Sequence, residues 1–416
     1  MAMLHPDDEA FSKTEILSQA SISALFDQNL GLVPTSITVP ESQGAFHKVY
    51  FVSLSKGDGT KWSGRDVVLR VARRTILKTK TENEMAMLSL LRASEFPVPE
   101  VVFFSSNVDN PLGYEYNCLE RIPYQSLADT WTTLSSAQLN YVLNQFVDIF
   151  IKLWSLDVPP NHGSLALDGG SGPVIEETMW QIPDIKRYFH AEPYNLTTET
   201  FATLNPTSFY PSWPEYISAF LKTYHHIITI HPAVDFLRDL LEPLAHLIAT
   251  LDSAEAPWVQ RLRDTPALRG RLLHRDFHFG NILADADGKI EGIIDWEFAG
   301  IGPSFAKRSS LIDNCIGYLV WSPNIPPAPA KPLIDTWKAE FTSRLAQRAP
   351  EIAATWARET DLDAALGVEG QALSHVRERI RGALEVSVRG DARVELARGE
   401  WREVAVPNLK ILGYQV

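Results

Sequence analysis

The chain has 416 residues and carries 38 Lys and Arg against 51 Asp and Glu, a formal net charge of -13. This acid excess argues against a general nucleic-acid-binding protein, because such proteins present a basic surface. Only Cys118 and Cys315 are present, so the sequence predicts no disulfide framework and a cytoplasmic protein. The longest uncharged stretch, 314–330, contains four prolines and is shorter than a membrane span, so we expect no membrane partner.

The first hundred residues predict a small sheet with one helix. Runs rich in β-branched residues occur at 37–39, 47–54 and 66–72. The Gly- and Ser-rich segment 55–64 is typical of a long hairpin connection between the last two runs. Residues 81–91 favour a helix, because acids occupy the first turn and leucines recur at helical spacing.

Beyond a strand-like stretch at 114–122, the spacing of apolar residues changes from that of strands to that of helices. Helical spacing then recurs at 139–153, 213–229, 233–251 and 335–397. The sequence therefore predicts a small sheet-containing unit followed by a larger, mainly helical one.

The candidate chemistry lies in the segment 272–302. Asp276 follows a His-Arg dipeptide, Asn281 lies five residues further on, and Asp295 fourteen residues after that. Between Asn281 and Asp295 the pattern predicts a β-hairpin with an Asp-Gly turn at 287–288. Because a hairpin folds the chain back on itself, the amide and the second carboxylate can approach one point.

These residue types suit phosphoryl transfer. An amide oxygen and a carboxylate are hard ligands for a magnesium ion that also carries phosphate oxygens. Asp276, on the preceding loop, would orient an attacking hydroxyl and accept its proton. Each residue alone has a simpler interpretation as a turn former or cap. The complete spacing, followed by Asp-Trp-Glu after an apolar strand, favours the functional interpretation.

The segment resembles the Brenner-type motif of the aminoglycoside phosphotransferase and choline kinase superfamily. The similarity is closest to the fungal phosphotransferase-like branch and runs from about Ser42 to Pro303. The resemblance implies an α+β, bilobal protein-kinase-like fold: a small N-lobe with an antiparallel sheet plus helix, and a larger, mainly helical C-lobe. It implies an N-lobe at 1–117, a hinge at 118–124 and a C-lobe at 125–416. It also implies that ATP and Mg²⁺ bind between the lobes.

The resemblance assigns roles to individual residues of the C-lobe. Asp276 matches the catalytic base, and Asn281 and Asp295 match the two metal-binding positions. His278 matches a position near the transferred phosphate, where a catalytic role and a structural role in holding the loop are equal alternatives.

The N-lobe supplies the expected nucleotide contacts. Strand alternation turns Arg70 away from the apolar face of Val67 to Val71, and Arg70 matches the phosphate-gripping lysine of kinases. Its expected partner is Glu84, which shares a helix face with two leucines, and Glu82 is the alternative. The other cofactor-binding positions that the resemblance implies are the nucleotide-loop residue Gly44 and the hinge residues Glu120 and Ile122.

The expected acceptor is a hydroxyl of a small molecule. Asp-Trp-Glu replaces the Asp-Phe-Gly of protein kinases, and no Ala-Pro-Glu motif follows, so a protein kinase is excluded as the specific type and a protein substrate is poorly accommodated. Acids outnumber bases between 176 and 255, which is consistent either with a cationic acceptor or with a solvated acidic surface. Two further hypotheses keep the fold: an enzyme of secondary metabolism that activates a hydroxyl for dehydration or cyclisation or works without ATP, and a non-catalytic binding protein.

Overall fold

The computed structural model describes residues 17–41, 43–57, 59–303, 327–390 and 394–415. The first lobe is a five-stranded antiparallel sheet with two helices. Its strands are β1 Pro34–Thr38, β2 His47–Leu54, β3 Asp66–Ala72, β4 Val101–Ser105 and β5 Tyr116–Glu120, in the order β1-β2-β3-β5-β4. Its helices are α1 Gln19–Leu30 and α2 Thr79–Ala93.

The second lobe is mainly helical. Its helices are α3 Leu127–Thr130, α4 Ser136–Trp154, α5 Ile182–Ile185, α6 Phe201–Leu204, α7 Trp213–Ile230, α8 Leu241–Ser253, α9 Pro257–Asp264, α10 Pro327–Arg348, α11 Pro350–Thr360, α12 Leu362–Val388 and α13 Val394–Ile411. Its short strands are β6 Gln125–Ser126, β7 Ser164–Leu165, β8 Ser171–Gly172, β9 Arg271–Leu273, β10 Ile282–Ala284, β11 Ile290–Ile293 and β12 Gly300–Gly302. They form three small sheets, β11-β10-β6, β12-β9 and β7-β8.

The predicted elements of the first lobe are confirmed, with two omissions. Strands β2 and β3 have the predicted bounds, and α2 extends two residues beyond the predicted helix at each end. The omissions are α1, which begins after the N-cap Ser18 and ends at left-handed Gly31, and the short strand β4. In the second lobe the predicted helix 233–251 is divided, because Val234 has a non-helical conformation within a 3-10 segment that precedes α8.

Helix α4 forms the support on which the hairpin β10–β11 rests. It begins with a capping box in which Ser135 and Gln138 satisfy each other's backbone amides. Its Gln145 side chain donates to the Gly288 carbonyl at 2.8 Å and accepts from the Ile290 amide at 2.8 Å. The Phe146 ring packs edge-on against Phe277, with ring centroids 6.0 Å apart. The hairpin and the loop before it are therefore fixed from behind.

One hydrophobic core crosses between the lobes. Apolar residues of α2, among them Met87 and Leu91, share a buried cluster with residues of α4 and of β10–β11, such as Ile282 and Ile293. A second core lies between α1 and the sheet, and a third joins α7, α8 and α12. Within the described ranges no helix is both long and apolar enough to cross a bilayer.

The buried imidazole of His162 makes the stability of this lobe depend on pH. His162 is 1% exposed and lies against the Tyr216 ring, and burial lowers its pKa to about 4. Because the unfolded chain binds a proton near pH 6.5 and the folded chain does not, stability is lost as the pH falls from 6.5 towards 4.

We expect His162→Gln to reduce this loss by up to about 1.4 kcal/mol per pH unit. The measurement is urea unfolding of both proteins at pH 7 and pH 5, followed by circular dichroism. Equal losses of unfolding free energy in the two proteins would contradict the assignment.

Candidate active site

The hairpin β10–β11 brings together the residues at its two open ends. Ile282 pairs with Ile293, and the Ile294 amide donates to the Asn281 carbonyl at 2.9 Å. At the closed end Gly288 has a φ of 81°, a left-handed conformation that glycine adopts without strain. The predicted fold-back is therefore present, and Asp295 begins the segment that leaves the hairpin beside Asn281.

Asp276 lies on the loop before β10 and is held by two neighbours. The Asn281 side-chain amide donates to the Asp276 carbonyl at 2.9 Å and to its carboxylate at 3.2 Å. The His278 Nε2 atom lies 3.4 Å from the same carboxylate, and His278 Nδ1 accepts from the Gly280 amide at 3.0 Å. Burial raises the pKa of the Asp276 carboxyl, but the hydrogen bond and charge of His278, together with smaller contributions from His274 and Asn281, outweigh burial, and the pKa lies below its usual range. Asp276 is therefore ionised at neutral pH, and about half of its side chain is exposed.

His274 connects the loop of Asp276 to the end of the hairpin. Its Nε2 atom donates to the Ile294 carbonyl at 3.0 Å, and its Nδ1 atom accepts from the Asp276 amide at 3.3 Å. The ring packs against Trp296, which is fully buried. Burial lowers the pKa of His274 to about 4, so the imidazole stays neutral and can make both bonds at physiological pH.

Asp295 lies where several negative charges meet. Its backbone has a φ of 68°, an uncommon left-handed conformation for a residue with a side chain. Arg70 Nη2 lies 3.2 Å from Asp295 Oδ1, and the Asp295 side chain is 35% exposed. Burial, followed by the charge of Glu297, raises the pKa of Asp295 to about 8 in spite of Arg70.

The residues at this point fit a divalent cation. Burial and the nearby charge of Glu297 disfavour the ionised Asp295 carboxylate in spite of Arg70, so added positive charge beside it would stabilise the ionised form. Because the amide nitrogen of Asn281 faces Asp276, its amide oxygen is directed away from that carboxylate. One carboxylate and one amide oxygen are the hard donors that Mg²⁺ accepts together with phosphate oxygens and water.

Arg70 connects the first lobe to this site. It lies on β3 opposite Val49 of β2 and Asn117 of β5, and its guanidinium forms an ion pair with Glu84 of α2. Glu84 is 1% exposed and also accepts from the Asn117 side chain at 3.2 Å. Glu82, the alternative partner, instead accepts from Ser106.

The remaining predicted positions lie in the first lobe and in the segment that leaves it. Gly44 is in the loop before β2, where an added Cβ would meet no heavy atom within 4 Å. Glu120 ends β5, and its amide donates to the Glu100 carbonyl at 2.8 Å. The Ile122 side chain packs so closely on Gly292 of the hairpin that a Cβ there would lie 2.4 Å from Ile122 Cδ1.

Sequence reasoning missed several charged and polar groups of this region. Lys80 and Asn83 lie on the same face of α2 as Glu84, and Lys80 forms an ion pair with Glu297. His47 Nδ1 lies 3.2 Å from Arg70 Nη2 and 3.4 Å from Glu297 Oε2. The spacing i, i+3, i+4 of Lys80, Asn83 and Glu84 could have predicted that the three share one helix face, whereas nothing in the sequence distinguished His47.

We expect Glu84→Gln to lower the free energy of unfolding by about 3 kcal/mol, because it leaves Arg70 with one carboxylate fewer in a buried setting. Glu100→Gln is the matched control: Glu100 pairs with the exposed Lys61, so its loss should cost about 1 kcal/mol or less. Chemical unfolding of the three proteins measures both effects. A Glu84→Gln loss no larger than that of the control would contradict the buried ion pair.

Comparison with known proteins agrees with this geometry. The sequence profile of the phosphotransferase enzyme family APH matches residues 42–306, more than half of the chain. A subtelomeric hrmA-associated cluster protein of Aspergillus fumigatus is 25% identical over 319 residues, which cover 64% of this chain and 58% of that protein. The clavilactone A biosynthesis cluster protein Y of Ampulloclitocybe clavipes is 25% identical over 252 residues, covering 58% and 53%. The chain thus spans little more than half the length of these relatives.

Among solved structures, a thermostable mutant of aminoglycoside phosphotransferase APH(4)-Ia in a ternary complex with ADP and hygromycin B is similar to this chain. It is 16% identical, and the alignment covers 95% of this chain and all of that one with a TM-score of 0.46. The family match itself covers strands β2 to β5 of the sheet, the hairpin and the segment that follows it. The chain belongs to the phosphotransferase enzyme family and has its bilobal protein-kinase-like fold.

Proposed function

We propose that this protein is an ATP- and Mg²⁺-dependent phosphotransferase that moves the γ-phosphate to a hydroxyl of a small molecule. One observation carries the proposal. Asp276 and Asn281 are hydrogen-bonded to each other, Asn281 is bonded through its backbone to the residue before Asp295, and Arg70 reaches Asp295 from the other lobe. These contacts support a site in which the proposed base, the two proposed metal donors and a cation act together.

Asp276 is the proposed base. Its carboxylate is ionised and partly exposed, so it can accept a hydrogen bond from an acceptor hydroxyl and then its proton. His278 and Asn281 fix the direction of the carboxylate by the contacts described above. The contact between His278 and the Gly280 amide supports a positioning role for His278, in which it holds Asp276 in place.

Asn281 and Asp295 are the proposed metal-binding residues. The bound ion would offset negative charge on the transferred phosphoryl group. The chain prepares the site by holding Asn281 with its amide oxygen directed away from Asp276, and by fixing Asp295 at the end of the hairpin. Arg70, oriented by Glu84, would contribute a planar cation that contacts phosphate oxygens.

The nucleotide would lie against the first lobe. We propose that the hinge is at 118–124, since the chain leaves the five-stranded sheet at the end of β5 and enters β6, which pairs with β10 of the second lobe. Backbone groups of Glu120 and Ile122 would contact the adenine ring of the nucleotide, and the loop with Gly44 would cover its phosphates. In Glu120 the carbonyl is the group proposed to contact the adenine, because the amide is bonded to Glu100.

The acidic segment 176–255 bears on the nature of the acceptor. Arginines near the C-terminal end form ion pairs with several of its acids: Arg377 with Glu176, Arg389 with Asp184, and Arg402 with Asp239. Much of the local charge is therefore balanced within the fold. This balance favours the interpretation as a surface of ordinary polarity, so neutral alcohols belong beside cationic ones among the candidate acceptors.

We expect at least one small alcohol to gain the mass of one phosphoryl group when incubated with the protein, ATP and Mg²⁺. The test is an acceptor screen followed by mass spectrometry, with amine alcohols, amino sugars and neutral polyols in parallel. ATP without Mg²⁺ is the control and should give no product. A screen in which no acceptor gains phosphate and no ADP forms would contradict the proposal.

A second candidate function is supported by one relative, whose name places it in a biosynthesis cluster. In this alternative the hydroxyl is phosphorylated so that phosphate can leave, and the product is dehydrated or cyclised. ADP and inorganic phosphate would then form in equal amounts with the loss of water from the acceptor. The same screen distinguishes the two functions, since only the first leaves phosphate on the product.

We expect Asp276→Asn to lower phosphate transfer by about 10²–10⁴-fold while nucleotide binding is retained, because the amide can still accept a hydrogen bond but not a proton. Asp287→Asn is the matched control: it makes the same chemical change at the exposed hairpin turn, where Asn-Gly serves as well as Asp-Gly. Turnover is measured with the best acceptor of the screen. Full activity of Asp276→Asn would remove Asp276 from the mechanism.

A further inference from the structure

Three buried polar side chains project from one face of helix α2. Lys80, Asn83 and Glu84 follow the spacing i, i+3, i+4 and therefore project from the same side of the helix. Each is only 1% exposed. Lysine, asparagine and glutamate are seldom buried to this degree without specific partners, so their contacts define what this face does.

Lys80 is paired with the segment 295–299, which follows the hairpin. Its ammonium forms an ion pair with Glu297, whose side chain is 6% exposed. The ammonium also lies 5.5 Å from the centroid of the Phe46 ring and 5.9 Å from that of Phe298. A buried ion pair beside two aromatic rings has little freedom to move, because separating the charges would leave each without compensation.

Asn83 binds the same segment at its far end. Its side-chain nitrogen donates to the Ala299 carbonyl at 2.8 Å, and its side-chain oxygen accepts from the Leu165 amide at 3.0 Å. Both partners are backbone groups of the second lobe. The nitrogen and the oxygen of the Asn83 amide are thus both hydrogen-bonded, and they connect α2 to two separate segments of the second lobe.

Glu84 reaches the near end of the segment through Arg70. Arg70 is bonded to Glu84 and lies 3.2 Å from Asp295. One and a half turns of α2 therefore contact residues 295, 297 and 299, directly or through one arginine. Asp295 itself has a left-handed backbone, a conformation that persists where the surroundings hold it.

We propose that Lys80 and Asn83 are positioning residues that hold the segment 295–299, and with it the Asp295 carboxylate, in its metal-binding arrangement before a nucleotide arrives. Lys80 acts through Glu297 and Asn83 through the Ala299 carbonyl. Neither residue contacts the reacting groups. The inference rests on the proposed function, in which the Asp295 carboxylate binds the metal ion.

The first experiment needs no ligand. Backbone hydrogen exchange of the amides at 296–302 should be at least about 10-fold faster in Lys80→Met than in the wild-type chain. Lys61→Met is the matched control, because Lys61 forms its ion pair with Glu100 at the surface of the first lobe. Hydrogen exchange at 296–302 should be unchanged in this variant. Asn83→Ala, which removes two hydrogen bonds and leaves no unpaired charge, is the second variant in case Lys80→Met does not fold.

The second experiment separates positioning from mere stabilisation. ATP affinity is measured by calorimetry with and without Mg²⁺, at a temperature at which each variant is folded by circular dichroism. In Lys80→Met the gain in affinity that Mg²⁺ gives should fall by about 10-fold, while metal-free ATP affinity stays within about 3-fold of wild type. Substitution of a residue that only stabilises the fold would lower the unfolding temperature and leave this Mg²⁺-dependent gain in affinity intact.

The outcomes are distinct. Exchange at 296–302 as slow as in wild type, or an unchanged Mg²⁺-dependent gain in both Lys80→Met and Asn83→Ala, would overturn this inference and leave the proposed function in place. A wild-type chain whose ATP affinity does not respond to Mg²⁺ would overturn the proposed function and this inference together.

Discussion

The structure of the site depends on the fold-back of the hairpin β10–β11. The hairpin converts a separation of fourteen residues between Asn281 and Asp295 into adjacency, through the bond from the Ile294 amide to the Asn281 carbonyl. Helix α4 supports the hairpin from behind, where Gln145 binds Gly288 of the turn and Ile290 at the start of β11. His274 then ties the loop of Asp276 to the same end. A change in the register of this hairpin would separate Asp295 from Asn281 and Asp276.

The second constraint is the balance of buried charge between the lobes. Arg70 pairs with Glu84 and Asp295, and Lys80 pairs with Glu297. Burial, followed by the charge of Glu297, raises the pKa of Asp295 in spite of Arg70. The proposed divalent cation would add positive charge beside this carboxylate.

Several features of this protein were readable from local pattern. Strands β2 and β3 have their predicted bounds because their β-branched residues alternate and turn residues flank them. The hairpin was predictable from an Asp-Gly turn between apolar runs, and Arg70 and Glu84 from strand and helix periodicity. The divided helix near Val234 was not, since its kink lies inside a run of helical spacing.

The sequence by itself determined which residues can do chemistry and where the chain must turn, because both depend on residue type and on contacts within a few positions. Only the tertiary structure decided the pairing of Lys80 with Glu297, of Asn83 with Ala299, and of Arg70 with Asp295. These pairs join residues more than two hundred positions apart. These partners follow from how α2 packs against the second lobe. The sequence around a polar helix residue does not predict which group of the other lobe will contact it.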